Sequence, residues 1–190
     1  MGTTTQDAIH NYVTDMIALE DLLAKAVAAQ VSAHEDHAEA AAFFRQLEAT
    51  VDQHIAQLKQ VAESHDAGVL NAVGDAIKRG GSMLAGVGAA AMDMVRNEKL
   101  AKNLRDDATA FSLATTGYYM LHITATALGE SAIANTARRF MQDYSSVVTR
   151  LHDMIPDAVI EVLREDDLPI AGGVEDAARR MYREVWEQAG

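Results

Sequence analysis

The sequence predicts an all-α protein built around a four-helix bundle, and two observations carry that prediction. Between Gly2 and Gly68 there is neither glycine nor proline, while apolar residues recur every three or four positions. Apolar residues make up 49% of the chain, yet only 5% of it is aromatic and alanine supplies much of the rest, a mixture suited to closely packed helices. At 190 residues the chain is long enough to bury a core without covalent staples.

Two helices fit the first stretch. Tyr12, Met16, Leu19, Leu23, Ala26 and Val27 form the stripe of one, opened by Thr4 and Asp7 at capping-box spacing. Phe44, Leu47, Val51, Ile55, Leu58 and Ala62 form the stripe of the second. Ser32 and Glu35 repeat the capping-box spacing, which puts the intervening turn near Gln30 to His34.

Six of the twelve glycines then fall between Gly68 and Gly88, the pattern of a crossover made of short helical pieces. A connection of that length lets helices 2 and 3 run parallel. The segment MLAGVGAAAMDMV is far shorter than the roughly 20 residues of a bilayer span. It also contains Asp93, so it is expected to pack across the bundle.

A third helix is expected from Asn103 to Leu128, with Phe111, Thr115, Tyr118, His122 and Ala125 on one face and Gly129 as its stop. The fourth starts near Ser131 and carries Ile133, Ala137, Phe140, Tyr144, Val147, Leu151 and Ile155, until Pro156 kinks or interrupts it. Periodicity resumes through Val159, Ile160 and Leu163. After the loop DDLPIAGG, Val174, Ala178, Met181, Tyr182, Val185 and Trp186 mark a final amphipathic helix. The expected organisation is a bundle over residues 1–164, and over 165–190 a linker and helix packed on the bundle or on a partner subunit.

Composition narrows the chemistry. The absence of cysteine removes disulfides, thiolate metal sites and thiol nucleophiles, so any metal would use nitrogen and oxygen ligands. A formal net charge of −12 argues against a nucleic-acid partner, since that affinity comes mainly from neutralising phosphates. The basic run Arg96, Lys99, Lys102 and Arg105 is interleaved with Glu98, Asp106 and Asp107 and reads as a solvated helix face. The N-terminus has neither a basic leader nor an apolar core of signal-peptide length, so a cytoplasmic location without a membrane partner is expected. There is no strand-to-helix phosphate loop, nucleophile elbow or HExxH motif.

What remains is a small set of ionisable residues on or beside the apolar stripes. Glu20 lies four residues after Met16 and three before Leu23, on the inward side of helix 1. His54 projects similarly between Val51 and Leu58, His122 shares the face of Tyr118, and Asp143 follows Phe140 by one turn. A buried unpaired carboxylate costs several kcal/mol, so an inward Glu20 needs a metal, a histidine or water. Two readings follow. Glu20 sits at the stripe's edge or pairs structurally with His54; or Glu20, His54 and Asp143 form a carboxylate and imidazole site between helices, with His122 a fourth candidate. His10, His34, His37, His65 and His152 are expected at the surface or at caps, Tyr118 and Tyr119 in packing, and the nine methionines in the core.

Four segments carry a family resemblance: YVTDMIALEDLLAKAV, LEATVDQHIAQLKQV, DDATAFSLATTGYYMLH and ARRFMQDYSSVVTRL, together covering roughly residues 8–155. In these the chain resembles the ferritin-like superfamily, and most nearly the bacterial stress-associated ferritin-like family of unknown function. A di-iron member supplies one Glu on each of two helices and a Glu-x-x-His pair on each of the others. Glu20 matches the first carboxylate. Val51 stands three before His54 where Glu is required, helix 3 offers Tyr118, Tyr119 or His122 in place of Glu, and Asp143 is followed by Ser146 rather than His.

The resemblance therefore implies a degenerate di-iron motif and a noncatalytic, oligomeric bundle, with a dimer favoured, in a stress or interaction role whose protein partner is unknown. No cofactor is expected on this reading. The alternative is an oxidoreductase or iron-handling protein holding iron or manganese at Glu20, His54, His122 and Asp143. A hemerythrin-like oxygen carrier needs further His or Glu residues four positions from His54 and His122, and these are lacking.

Overall fold

The computed structural model describes residues 5–65 and 100–188. The expected crossover, the segment MLAGVGAAAMDMV, Thr4 of the first capping box, and Arg96 and Lys99 of the basic run lie outside the described residues. All described elements are α-helices: α1 (Thr5–Ala33), α2 (Ala38–His65), α3 (Leu100–Ala127), α4 (Ser131–Glu165) and α5 (Val174–Gln188). Among the described residues no helix is long and apolar enough to cross a membrane.

Four of these helices surround one core. α1 lies against α2 and α3, α4 lies against α3 and α2, and α5 rests on α4 alone. Directions follow from cross-helix pairs. Glu20 meets Tyr118 while His34 meets Asn103, so α1 and α3 are antiparallel. Glu39 meets Arg150 while Gln57 meets Arg139, so α2 and α4 are antiparallel. The short α1–α2 turn makes that pair antiparallel as well, which leaves α2 and α3 parallel.

The core is aliphatic at its ends and aromatic at its middle. Ile9, Val13 and Val27 of α1 and Leu47 and Leu58 of α2 are buried with Leu104, Leu121, Ile133 and Leu151. Phe111, Tyr118, Phe140 and Tyr144 cluster with His54 in the middle, while Phe44, also fully buried, stacks on His34 toward the α1–α2 turn. Gly117 lets α3 approach α1, because a Cβ there would come within 2.7 Å of Met16 Sδ.

Three boundaries differ from the sequence expectation. α1 runs on to Ala33, and Ser32 bonds back to the Ala28 carbonyl at 3.4 Å instead of capping α2. The turn is tightened by His37 N–H on the His34 carbonyl at 3.0 Å. α3 begins at Leu100, ahead of Asn103. α4 passes through Pro156 without ending. Proline removes one helical donor and crowds the preceding turn. The carbonyl left without its helical donor is that of His152, and the next one along, Asp153, accepts from Arg179 Nε of α5 at 2.9 Å.

The expected stop at Gly129 is a Schellman motif. Gly129 has φ +80°, Glu130 N–H bonds the Ala125 carbonyl at 2.8 Å and Gly129 N–H bonds Thr126 at 3.2 Å.

α5 buries none of its residues. It is held by Arg179 to Asp157, by Arg183 to Asp153, by Arg164 to Glu175, and by His152 stacked on Tyr182 with ring centroids 4.5 Å apart. Exposed pairs of this kind contribute about 0–1 kcal/mol each. Truncation after Glu165 is therefore expected to leave a cooperatively folding four-helix core and to lower its stability by only about 1–2 kcal/mol, as read from urea unfolding followed by circular dichroism.

Candidate functional site

The centre of the molecule holds a fully buried carboxylate. Glu20 sits where the apolar stripe of α1 crosses the aromatic section, and it is fully buried. An isolated charge there would cost several kcal/mol. Both of its oxygens are taken: Tyr118 of α3 donates its hydroxyl to Oε1, and Tyr144 of α4 donates to Oε2. Burial first, and then the Glu20 charge, hold both phenols far above their ordinary range, so they remain protonated donors.

α2 contributes His54. Its Nδ1 lies 3.5 Å from Glu20 Oε1 and its Nε2 lies 3.1 Å from Asp143 Oδ2. The Nε2 contact requires an N–H there, since an ionised Asp143 only accepts. The imidazole stacks on Phe140, with centroids 3.7 Å apart and planes at 14°, and lies 4.7 Å from the Tyr144 ring. Its position is thus fixed by packing as well as by polar contacts. Asp143 is partly exposed and lines an open groove of about 620 Å³ between α2 and α4, beside Phe43, Leu47, Gln53 and Val147. A continuous polar line runs from that groove through Asp143 and His54 to Glu20 and the two tyrosines.

Of the sequence-predicted residues, the structure brings Glu20, His54 and Asp143 together. His122 points elsewhere: Nδ1 bonds the Ala134 carbonyl of α4 at 2.9 Å. Glu20 is not at the stripe's edge but at the centre, and its pairing extends beyond His54. Tyr144, which the periodicity places only in a core stripe, is a direct partner of the carboxylate. The residues present do not fit a di-iron centre. Glu20 has each oxygen engaged by a hydroxyl, and Val51 is a buried hydrocarbon where a carboxylate would be needed. Among the described residues no group of three or more His, Asp or Glu side chains is arranged to hold a metal ion.

A second buried polar layer lies between α1 and α3 toward the α1–α2 turn. Gln30 and His34, one turn apart on α1, face Asn103 and Asp107, one turn apart on α3, and all four are buried. His34 Nε2 and Asn103 Nδ2 are 2.8 Å apart, with the amide donating, so His34 is a core residue and not the surface or cap residue expected from its acidic neighbours. Gln30 Nε2 and Oε1 and Asp107 Oδ2 have no hydrogen-bond partner. Burial, reinforced by the Asp106 charge and opposed by the adjacent Gln30 amide, pushes the Asp107 carboxyl up to about 7. This layer was readable in part, because Gln30 continues the Val27 stripe and Asp107 precedes Phe111 by one turn. The alternating charges around Asp107 hid it.

No protein-family profile, curated protein or solved structure matches the chain. Fold and site define an all-α protein with a buried polar centre in which both Glu20 oxygens accept a tyrosine hydroxyl and His54 Nδ1 has no hydrogen-bond partner.

Two expectations test this geometry. Tyr118→Phe and Tyr144→Phe each leave one oxygen of a buried carboxylate unpaired and are expected to cost about 2–4 kcal/mol in chemical denaturation. A Glu20→Leu, Tyr118→Phe, Tyr144→Phe triple variant should lie closer to wild type than either single change, because no unpaired group remains among the three.

Asp107 carries a pH signature. Its folded value is raised from 3.8 to about 7, so its stabilising contribution is complete below the unfolded value and is lost as pH rises through about 7. At about 1.4 kcal/mol per pH unit the ionised form costs on the order of 4 kcal/mol at most. Asp107→Asn should be markedly more stable than wild type at alkaline pH and little different at acid pH. The difference between the two melting curves is the readout, because His34, held below its ordinary value by burial and by His37, pulls in the opposite direction.

Proposed function

We propose that the chain is a noncatalytic ferritin-like bundle protein, acting as an oligomer in a stress-associated or interaction role. The observation that carries this reading is the state of Glu20. In a bundle built for metal chemistry, that carboxylate offers lone pairs to an ion, whereas here the hydroxyls of Tyr118 and Tyr144 occupy both oxygens. The parallel course of α2 and α3, which needs a long connection, supports the ferritin-like assignment. The polar centre then serves to fix how four helices meet.

A second reading has one observation in its favour. His54 Nδ1 has no hydrogen-bond partner and lies 3.5 Å from Glu20 Oε1, with Asp143 on the far side of the same ring. Release of one tyrosine hydroxyl would give a single iron or manganese ion an oxygen and a nitrogen ligand, in an oxidoreductase or iron-handling protein.

Elemental analysis of untagged protein, with and without reconstitution by each ion, separates the two. Less than about one-tenth equivalent of metal, unchanged in a Glu20→Ala, His54→Ala variant, is the expected result. Near-stoichiometric iron or manganese that disappears in that variant would overturn the noncatalytic reading.

A further inference from the structure

Of the described helix pairs that touch, α2 and α4 touch least, so that side of the bundle is an open groove and not a packed seam. Its volume of about 620 Å³ lies within the range of small-molecule sites, about 300–1,000 Å³. The Glu39–Arg150 ion pair stands toward one end and Asp143 toward the other. Between them Phe43, Leu47 and Val147 supply an apolar lining.

Charge is unbalanced along the groove. Three charged residues line it, and two of them, Glu39 and Arg150, compensate each other. Asp143 is the third. Its Oδ2 accepts from His54 Nε2 at 3.1 Å, and no Lys or Arg pairs with it among the described residues. Its side chain is 45% exposed, which leaves the carboxylate open to a molecule in the groove. The lining hydroxyls present lone pairs: Thr50 Oγ1 donates to the Gln46 carbonyl at 3.1 Å and Ser146 Oγ to the Gln142 carbonyl at 3.1 Å, so both protons are spent on their own helices. Ser146 follows Asp143 by one helical turn, on the same face of α4.

We propose that this groove binds a small aliphatic amine, with the ammonium on Asp143 and the hydrocarbon along Phe43, Leu47 and Val147. Charge complementarity identifies the occupant. The one lining carboxylate without a Lys or Arg partner sits beside acceptor hydroxyls, and an ammonium brings a positive charge and three donors to that end. A chain of formal net charge −12 also draws cations toward its surface. The apolar body is required too, because an ammonium on a half-exposed carboxylate gains little over its hydration in water. From Asp143 to Arg150 the groove follows seven residues of α4, about 10 Å, and the Glu39–Arg150 pair bounds it. That length suits a free amine better than a lysine carried on a protein surface. Occupancy is felt inward, since His54 touches Asp143 through Nε2 and faces Glu20 Oε1 at 3.5 Å through Nδ1. The inference depends neither on metal content nor on oligomeric state, so it holds or fails separately from the proposed function.

The test is calorimetry on the full, chelator-treated chain at neutral pH with hexylamine, hexanol and hexanoate, beside an NMR titration that follows the His54 imidazole signals. Hexylamine should bind saturably, at least about tenfold more tightly than hexanol, and shift those signals. Asp143→Asn keeps an acceptor for His54 and removes the charge; it should lose about tenfold in amine affinity and leave hexanol unaffected. Ser146→Trp, at an exposed position, should fill the groove and abolish binding of both probes with unchanged helical circular dichroism. Absence of saturation by hexylamine up to about 10 mM would overturn the proposal. So would equal binding of hexanol, an amine affinity indifferent to Asp143→Asn, or a preference for hexanoate, which would put Arg150 in control of the groove. Tighter binding of Nα-acetyl-lysine amide than of hexylamine would assign the carboxylate to a protein lysine and overturn the free-amine reading.

Discussion

A carboxylate at the centre of a helical core must be satisfied by the helices around it, and that requirement ties this structure together. Glu20 is on α1, its two hydroxyl donors are on α3 and α4, and its imidazole neighbour is on α2. One side chain therefore fixes the relative height of all four helices. Sliding any of them by one turn, about 5.4 Å, would remove a partner and strand a charge. Hydrophobic packing alone is far more permissive, since Leu, Ile and Ala present similar surfaces at several registers. Here Phe140 and Phe111 add a second constraint: the first stacks on His54 and the second meets the Tyr144 ring edge-on, with centroids 4.9 Å apart. The donors to Glu20 are thus held in place before the carboxylate is considered.

The two polar layers differ in kind. Around Glu20 both carboxylate oxygens are engaged, which is the condition under which a buried polar network rigidifies a core. Around Asp107 the network is partial: His34 and Asn103 satisfy each other, while Gln30 and Asp107 retain unpartnered atoms. In the first layer each Glu20 oxygen has a hydroxyl donor, while His54 Nδ1 is left without a partner. The second resolves the same problem by raising the Asp107 carboxyl toward neutrality. Stability is consequently coupled to pH at the α1–α3 contact near the helix turn, and register is set at the middle.

Much of this was legible in the sequence, for definable reasons. Stripe geometry points Glu20, between Met16 and Leu23, and His54, between Val51 and Leu58, toward the inward side, but leaves the stripe's edge open for Glu20, which only its cross-helix partners decide. The Gly129 stop is equally local, since the αL conformation belongs to glycine by sterics. What periodicity could not supply was the identity of cross-helix partners. Tyr144 looks like one more aromatic in a stripe, and only the meeting of diagonal helices turns its hydroxyl into a donor for Glu20. The helix ends that were misplaced, at Ser32 and Pro156, share one cause. In each case helix propagation continued past the local signal: α4 runs through Pro156, and Ser32 bonds backward into α1. His34 was misjudged because its charged sequence neighbours face solvent while the ring itself, one turn beyond Gln30, continues the buried stripe.

The composition of α3 follows from the same logic of covering surfaces. An ordinary surface helix is apolar on one side and charged on the other. α3 carries no Asp, Glu, Lys or Arg from Ala108 to Ala127, and the hydroxyls of Ser112, Thr115 and Thr116 are folded onto its own carbonyls. Its inner side needs small residues so that Gly117 and Ala114 can bring Tyr118 within reach of Glu20 on α1. Nothing about that inner task forbids lysine or glutamate outside, and α2 and α4 carry both acidic and basic residues along their lengths. The missing charge on the outer side of α3 is therefore a property separate from that inner task. On its inner side α3 carries Tyr118, whose hydroxyl donor to Glu20 sets the register against α1, so the demands on this helix come from the buried carboxylate and from close approach at Gly117.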